Sequence, residues 1–174
     1  VIDPKRRDSR YAFSELAGVG VAFKFAHALL MAAGGTLDAL KPPHHLLDLV
    51  ALGTIADVAP LRGENRILAK HGLRRMNDPD NLGLGALIRG SGLAGREISA
   101  GTVGFVIAPR LNAAGRLADA SLCVELLTTD SPERAADIAR LLERANEERQ
   151  ALEQAIFEEA VSMVKARDDG EAAD

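Results

Sequence analysis

The stretch "SPERAADIARLLERANEERQALEQAIFEEAVSMVKAR", Ser131 to Arg167, constrains the fold of this chain more than any other. Ser131 at the N-cap, Pro132 at the first helical position and Glu133 in the first turn form a strong helix start. A run of about 36 residues makes a helix roughly 50 Å long, more than the width of a small domain. Its middle, "ERANEERQ", reads as polar all round, with apolar stripes on either side. A helix of that kind bridges two domains through solvent.

The part before Ser131 must therefore supply the folded body. With 174 residues and 47% hydrophobic content, the chain can bury a core. Aromatics are 3% and Trp is absent, so Leu, Ala, Val and Ile must build it. The single cysteine, Cys123, excludes a disulfide framework and a multi-Cys zinc site. There is no signal-peptide pattern and no membrane-spanning apolar run, so the expected setting is soluble, reducing and cytoplasmic, with no membrane partner. Charge is uneven. Residues 1–76 carry net +4, residues 77–130 net −2 and residues 131–174 net −6. A phosphate-bearing partner would meet the first part and avoid the tail.

Helical spacing of Leu16, Val19, Phe23, Ala26 and Leu30 predicts a helix from an N-cap at Ser14 to about Ala33, closed by Gly34-Gly35. Before it, "VID" and Pro4 read as the end of a strand. Leu46 to about Val58 is continuously apolar, and its length favours a buried helix that Pro60 ends. "GENRILAKHGLRRM" is a third helix, its basic residues at the end the macrodipole favours. "LGLGALIRGSG" is a short helix. "ISAGTVGFVIAPRLNAAGRL" is expected to begin as an apolar element and become a polar loop. "ADASLCVELLTTD" is another helix.

Four places carry chemistry. His44-His45 invites a metal reading, but adjacent side chains diverge and Pro42-Pro43 precedes them, so solvent-facing loop histidines are the better account. "GTIADVAPL" places Asp57 at the end of a segment built for burial. An ionised carboxylate there needs compensation. It is either a cap on nearby amides or a metal ligand at the rim of a core, and the residues alone divide evenly between the two. "ENR", Glu64 to Arg66, reads as a local salt bridge and cap. "PRLNAAGRL", Pro109 to Leu117, sets Arg110 and Arg116 around Asn112, two alanines and Gly115. Small residues allow close backbone approach, and Arg forks bind phosphate bidentately. The alternative is a tight loop anchored by pairing with Asp119 or Glu125.

Taken in order, "ELAGVGVAFK", "LLDLVALGTIADVAPLRGENRIL", "GLRRM" and "PRLNAAGRL", followed by a long charged helix, resemble the RecJ family of the DHH phosphoesterase superfamily. The resemblance covers Val1 to about Lys165. It implies an α/β domain with a parallel sheet, mostly helical in this stretch. Residues 1–130 would be the C-terminal portion of that catalytic domain. Residues 131–167 would be a connecting helix toward a DHHA1 domain, and 168–174 a disordered end. It also implies that Asp57 is a ligand to catalytic Mn²⁺ or Mg²⁺ in a two-metal site. The other ligands, an Asp-rich motif and an Asp-His-His motif, would lie upstream of Val1.

The implied activity of the intact protein is hydrolysis of single-stranded DNA from the five-prime end, in DNA repair and recombination. Arg110, Asn112 and Arg116 would be the phosphate contacts. A single-strand-binding protein and a helicase would be partners, and this stretch alone would be inactive. The rival enzyme reading is a phosphodiesterase acting on short oligoribonucleotides, cyclic dinucleotides or pyrophosphate. The rival from another class is a non-catalytic helical module that binds DNA or a protein.

Overall fold

The computed structural model describes residues 2–35, 46–117 and 120–171, with 116–117 and 166–171 described by backbone alone. Every regular element among the described residues is helical. Ile2 and Asp3, expected to end a strand, lie in irregular backbone. No strand of the parallel sheet that the resemblance implies lies among the described residues.

The first helix, α1, spans Gly18–Ala32. Its cap is Ala17, not Ser14, because the segment from Phe13 is held to a later helix instead of entering α1. At the other end Gly34, at φ +77°, and the Gly35 N–H bonded to the Leu30 carbonyl close the helix as expected. Helix α2 spans Leu47–Ala56 and is buried on most sides, as its unbroken apolar sequence requires. Helix α3 spans Gly63–Met76. A Cβ on Gly72 would lie 2.0 Å from the Leu47 carbonyl oxygen, so only glycine lets α3 approach α2 this closely. Helix α4, Leu82–Gly90, is capped by Asn81, whose Oδ1 accepts from the Leu84 N–H at 2.8 Å. Gly83 serves α4 as Gly72 serves α3. A Cβ there would fall 1.7 Å from the Leu126 carbonyl oxygen.

The segment from Ala100 to Leu117 departs from expectation. It is helical throughout: α5 (Ala100–Thr102), a π-helical turn (Val103–Ile107), α6 (Ala108–Ala113) and a 3₁₀ turn (Ala114–Leu117). Pro109 is the physical reason for the change of winding. It has no N–H to donate, and its ring crowds the carbonyl four residues back, so the preceding turn widens. "PRLNAAGRL" is therefore a helix end with a tightened last turn, and the polar loop expected there is corrected.

Helix α7 spans Ser121–Thr128 and α8 spans Pro132–Glu171. Ser131 caps α8 through its Oγ, which accepts the Arg134 N–H at 3.1 Å. The first part of α8 buries Ala135, Ile138, Ala139, Leu142 and Ala145 against α4, α6 and α7. Beyond Gln150 the helix is exposed through Ala160, including Leu152, Ile156 and Phe157. Its middle is less uniformly solvated than "ERANEERQ" suggests, since Asn146 is 1% exposed. Helical backbone also continues past residue 167, where disorder was expected, to Glu171. Residues 172–174 lie outside the described residues.

One core unites α2, the π turn, α4, α7 and the start of α8, through residues such as Leu52, Leu87, Val103, Ile107, Leu126 and Leu142. A smaller cluster of Leu16, Val50 and Leu68 fastens α1 to α2 and α3.

Candidate metal and phosphate site

Asp57 stands at the C-cap of α2, where its N–H donates to the Gly53 carbonyl at 3.0 Å. Its side chain is exposed, which corrects the expectation of a carboxylate withdrawn from water. The buried acid of this helix is Asp48, 2% exposed in the first turn, where the positive end of the dipole favours it. The apolar run concealed that distinction, because the signal was the position of each acid within the helix.

Two features of the Asp57 turn run against local preference. The C-terminal end of a helix carries partial negative charge, so a carboxylate there is disfavoured. No hydrogen bond or ion pair to the Asp57 carboxylate is found among the described residues, so it caps no amide. The next residue, Val58, has φ +54° and is 86% exposed. A β-branched residue in the left-handed region is strained, and such strain concentrates at functional turns. An acid set against the helix dipole and carried on a strained turn fits a partner of positive charge.

The turn is held from behind by Asn65, which is fully buried. Its Nδ2 donates to the carbonyls of Pro60 at 3.1 Å and Glu15 at 2.8 Å, and its Oδ1 accepts the Ala17 N–H at 3.1 Å. One amide thus ties α3 to the segment entering α1 and to the chain that follows Asp57. The flanking residues reinforce it. Arg62 makes a bidentate pair with Glu15, and Glu64 accepts from the Tyr11 hydroxyl and from Lys24 Nζ at 3.3 Å. "ENR" is therefore a long-range staple, and the local cap expected of it is corrected. An Asn flanked by charges on a helix carries no sequence signal that its amide is buried.

The three polar residues of "PRLNAAGRL" divide. Arg110 is largely buried and its guanidinium is engaged. Nε and Nη2 grip Glu143 of α8, with Nη2 to Oε1 at 2.8 Å, and Nη1 donates to the Val106 carbonyl at 2.6 Å. The partner is thus Glu143, whereas the sequence offered Asp119 or Glu125. Glu125 instead pairs with Arg134, and Asp119 lies outside the described residues. Asn112 is exposed on α6. Arg116 falls in the 3₁₀ turn, its side chain outside the described residues. Ile55, two residues before Asp57, faces Gly104 of the π turn, where a Cβ would lie 3.8 Å from its Cγ2. The end of α2 therefore packs on the π turn that precedes α6.

A single hard oxygen donor does not make a metal site, because hard divalent cations take six or more ligands. Among the described residues no group of three or more His, Cys, Asp or Glu converges to hold one. His44 and His45 lie outside the described residues. Among these residues Asp57 offers one exposed carboxylate, which by itself holds no such ion.

No protein-family model matches the chain. It is 46% identical over 165 residues to the single-stranded-DNA-specific exonuclease RecJ of Bacillus subtilis, covering 95% of this chain and 20% of that protein. The chain is homologous to RecJ. The enzyme of the same name from Escherichia coli is 39% identical over 170 residues, 94% of this chain and 30% of that protein. Solved structures agree. RecJ from Thermus thermophilus in complex with Mg²⁺ matches with a TM-score of 0.74 at 40% identity, over 88% of this chain and 23% of that one. An exonuclease RecJ bound to manganese matches with a TM-score of 0.70 at 43% identity, over 80% of this chain and 34% of that one. The chain thus spans between a fifth and a third of the RecJ proteins it matches. No helix among the described residues is long and apolar enough to cross a membrane.

Proposed function

We propose that the intact protein is a cytoplasmic, metal-dependent exonuclease that hydrolyses single-stranded DNA from the five-prime end in DNA repair and recombination. The observation that carries this reading is Asp57, an exposed carboxylate at the negative end of α2 with no partner among the described residues, in a chain homologous to RecJ. Asp57 is one ligand to Mn²⁺ or Mg²⁺, with the remaining ligands supplied by chain outside these residues. Such ions supply a nucleophilic hydroxide and stabilise the leaving oxygen. Asn112 and Arg116 meet the phosphates. Arg110 aligns them by fixing α6 against α8, since its fork is committed to Glu143. Residues 1–130 form the back of the catalytic domain, and α8 leads toward a DHHA1 domain. A single-strand-binding protein and a helicase are the expected partners.

The test uses the full-length protein with Mn²⁺ or Mg²⁺ and single-stranded DNA labelled at either end. Nucleotides should be released from the five-prime end, and Asp57→Ala should abolish release while leaving the melting temperature nearly unchanged. Turnover by that variant close to the parent's would make Asp57 structural. The stretch Val1–Asp174 alone should release nothing. Preferential cleavage of short oligoribonucleotides or cyclic dinucleotides would favour the other phosphodiesterase reading.

A further inference from the structure

We infer that one face of α3 and the groove beside it bind the phosphate backbone of single-stranded DNA, an electrostatic track separate from the proposed metal turn. This inference rests on the proposed nuclease reading and extends it to how the strand is held. Arg66, Lys70 and Arg74 recur every fourth residue of α3 and so share one face. All three are exposed, and all three line a groove of about 500 Å³. Other arginines of this region behave differently. Arg62 is paired with Glu15 and Arg75 with Asp80. Arg66, Lys70 and Arg74 have no ion-pair partner among the described residues. Solvation alone accounts for a single cation, and the helix dipole accounts for Arg74 in the last turn. Neither accounts for Arg66, which sits in the first turns, at the positive end.

The groove has the chemistry of a backbone track. Its apolar part includes Leu61 and Leu73, and the described residues that line it include no aromatic side chain on which a base would stack. Successive cations advance about 6 Å along the helix, comparable with the phosphate repeat of an extended single strand. Leu61, at one end, directly follows the Asp57–Pro60 turn, so the track runs away from that turn. Among the described residues that line the groove, Glu97 is the one acid, and it opposes an anionic ligand.

The experiment measures binding of a long oligo-dT to the full-length protein across a range of KCl concentrations, without divalent metal. The triple variant R66Q/K70Q/R74Q should bind more weakly, and the slope of log K against log salt should shrink by about 2, at about 0.7 per lost contact. Glu97→Gln should tighten binding. If the triple variant melts early, Lys70→Gln alone carries the readout, with a slope change of about 0.7. An unchanged slope overturns the track and leaves the nuclease reading standing. No oligo-dT binding by the unsubstituted protein overturns both. Binding of polyglutamate that depends on the three cations, with an unchanged oligo-dT slope, would assign the groove to an acidic peptide and refute the proposal.

Discussion

Arg110 on α6 and Glu143 on α8 form a two-pronged ion pair that joins the end of the distorted helix to the long one. The guanidinium's third contact, to the Val106 carbonyl, lies where the π turn passes into α6. One side chain therefore fixes both the winding of that helix and its seat on α8. With side-chain exposures of 12% and 26%, the pair stands between a surface ion pair and a buried one. Removing either partner should cost about 2 kcal/mol, above the usual surface value and below that of a fully buried pair. The double variant Arg110→Ala, Glu143→Ala should cost clearly less than the two single changes added together. Chemical unfolding of the four proteins measures this, and strict additivity would mean the pair contributes nothing.

Asn65 should be among the most sensitive positions of the body. Its amide bonds two carbonyls and one N–H that no other side chain reaches among the described residues. Asn65→Ala takes that partner from the Ala17 N–H and the Glu15 carbonyl, while the Pro60 carbonyl keeps its bond from the Arg62 N–H at 2.8 Å, so the cost should be about 2 kcal/mol. Asn65→Asp should be no better, because a carboxylate faces the Pro60 and Glu15 carbonyls with no proton to donate. Thermal melts rank the variants. Asn65→Asp melting well above Asn65→Ala would show that Oδ1, and not the donor side, carries the role.

These two residues mark where the sequence was readable and where it was not. Helices α2, α3 and α8 announce themselves through unbroken apolar content, dipole-matched charges and a Ser-Pro-Glu start, all local signals. The resemblance to RecJ rests on motif order and was also legible. The partner of Arg110 was not, because Glu143 lies 33 residues away and only packing of α6 on α8 brings them together. The helical winding of "PRLNAAGRL" was hidden by a proline and a glycine that usually signal a loop. Pro109 instead follows a π turn that accommodates its ring, an arrangement no local propensity encodes. Asn65 was unreadable for a related reason, since burial of a polar side chain is decided by the three segments that converge on it.

Tyr11 is the chain's only tyrosine, which makes it a spectroscopic probe of the segment entering α1. Burial, followed by its hydrogen bond to Glu64, holds the phenol pKa above its ordinary value. The folded protein therefore keeps the phenolic proton more tightly than the unfolded chain. The associated stability is complete below the unfolded value of about 10 and is lost as pH rises through the folded one. Phenolate absorbance should appear at a higher pH than in the urea-unfolded chain. Glu64→Gln should bring the two titrations closer. Coincident titrations in the unsubstituted protein would mean that Tyr11 is not held by Glu64.

Val58 offers the most direct measure of what the Asp57 turn costs. At φ +54° its branched side chain crowds its own backbone, and at 86% exposure it gains almost nothing from packing. Asparagine tolerates the left-handed region far better. Val58→Asn should therefore stabilise the fold by about 1 kcal/mol. Glycine removes the strain as well, but its greater freedom in the unfolded chain offsets part of the gain, so Val58→Gly should fall between Val and Asn. Melting temperatures of the three proteins supply the order. If Val58→Asn is destabilising, the valine side chain has a packing role that its exposure conceals. If the order holds, the turn presenting Asp57 is a place where stability was given up for the position of one carboxylate.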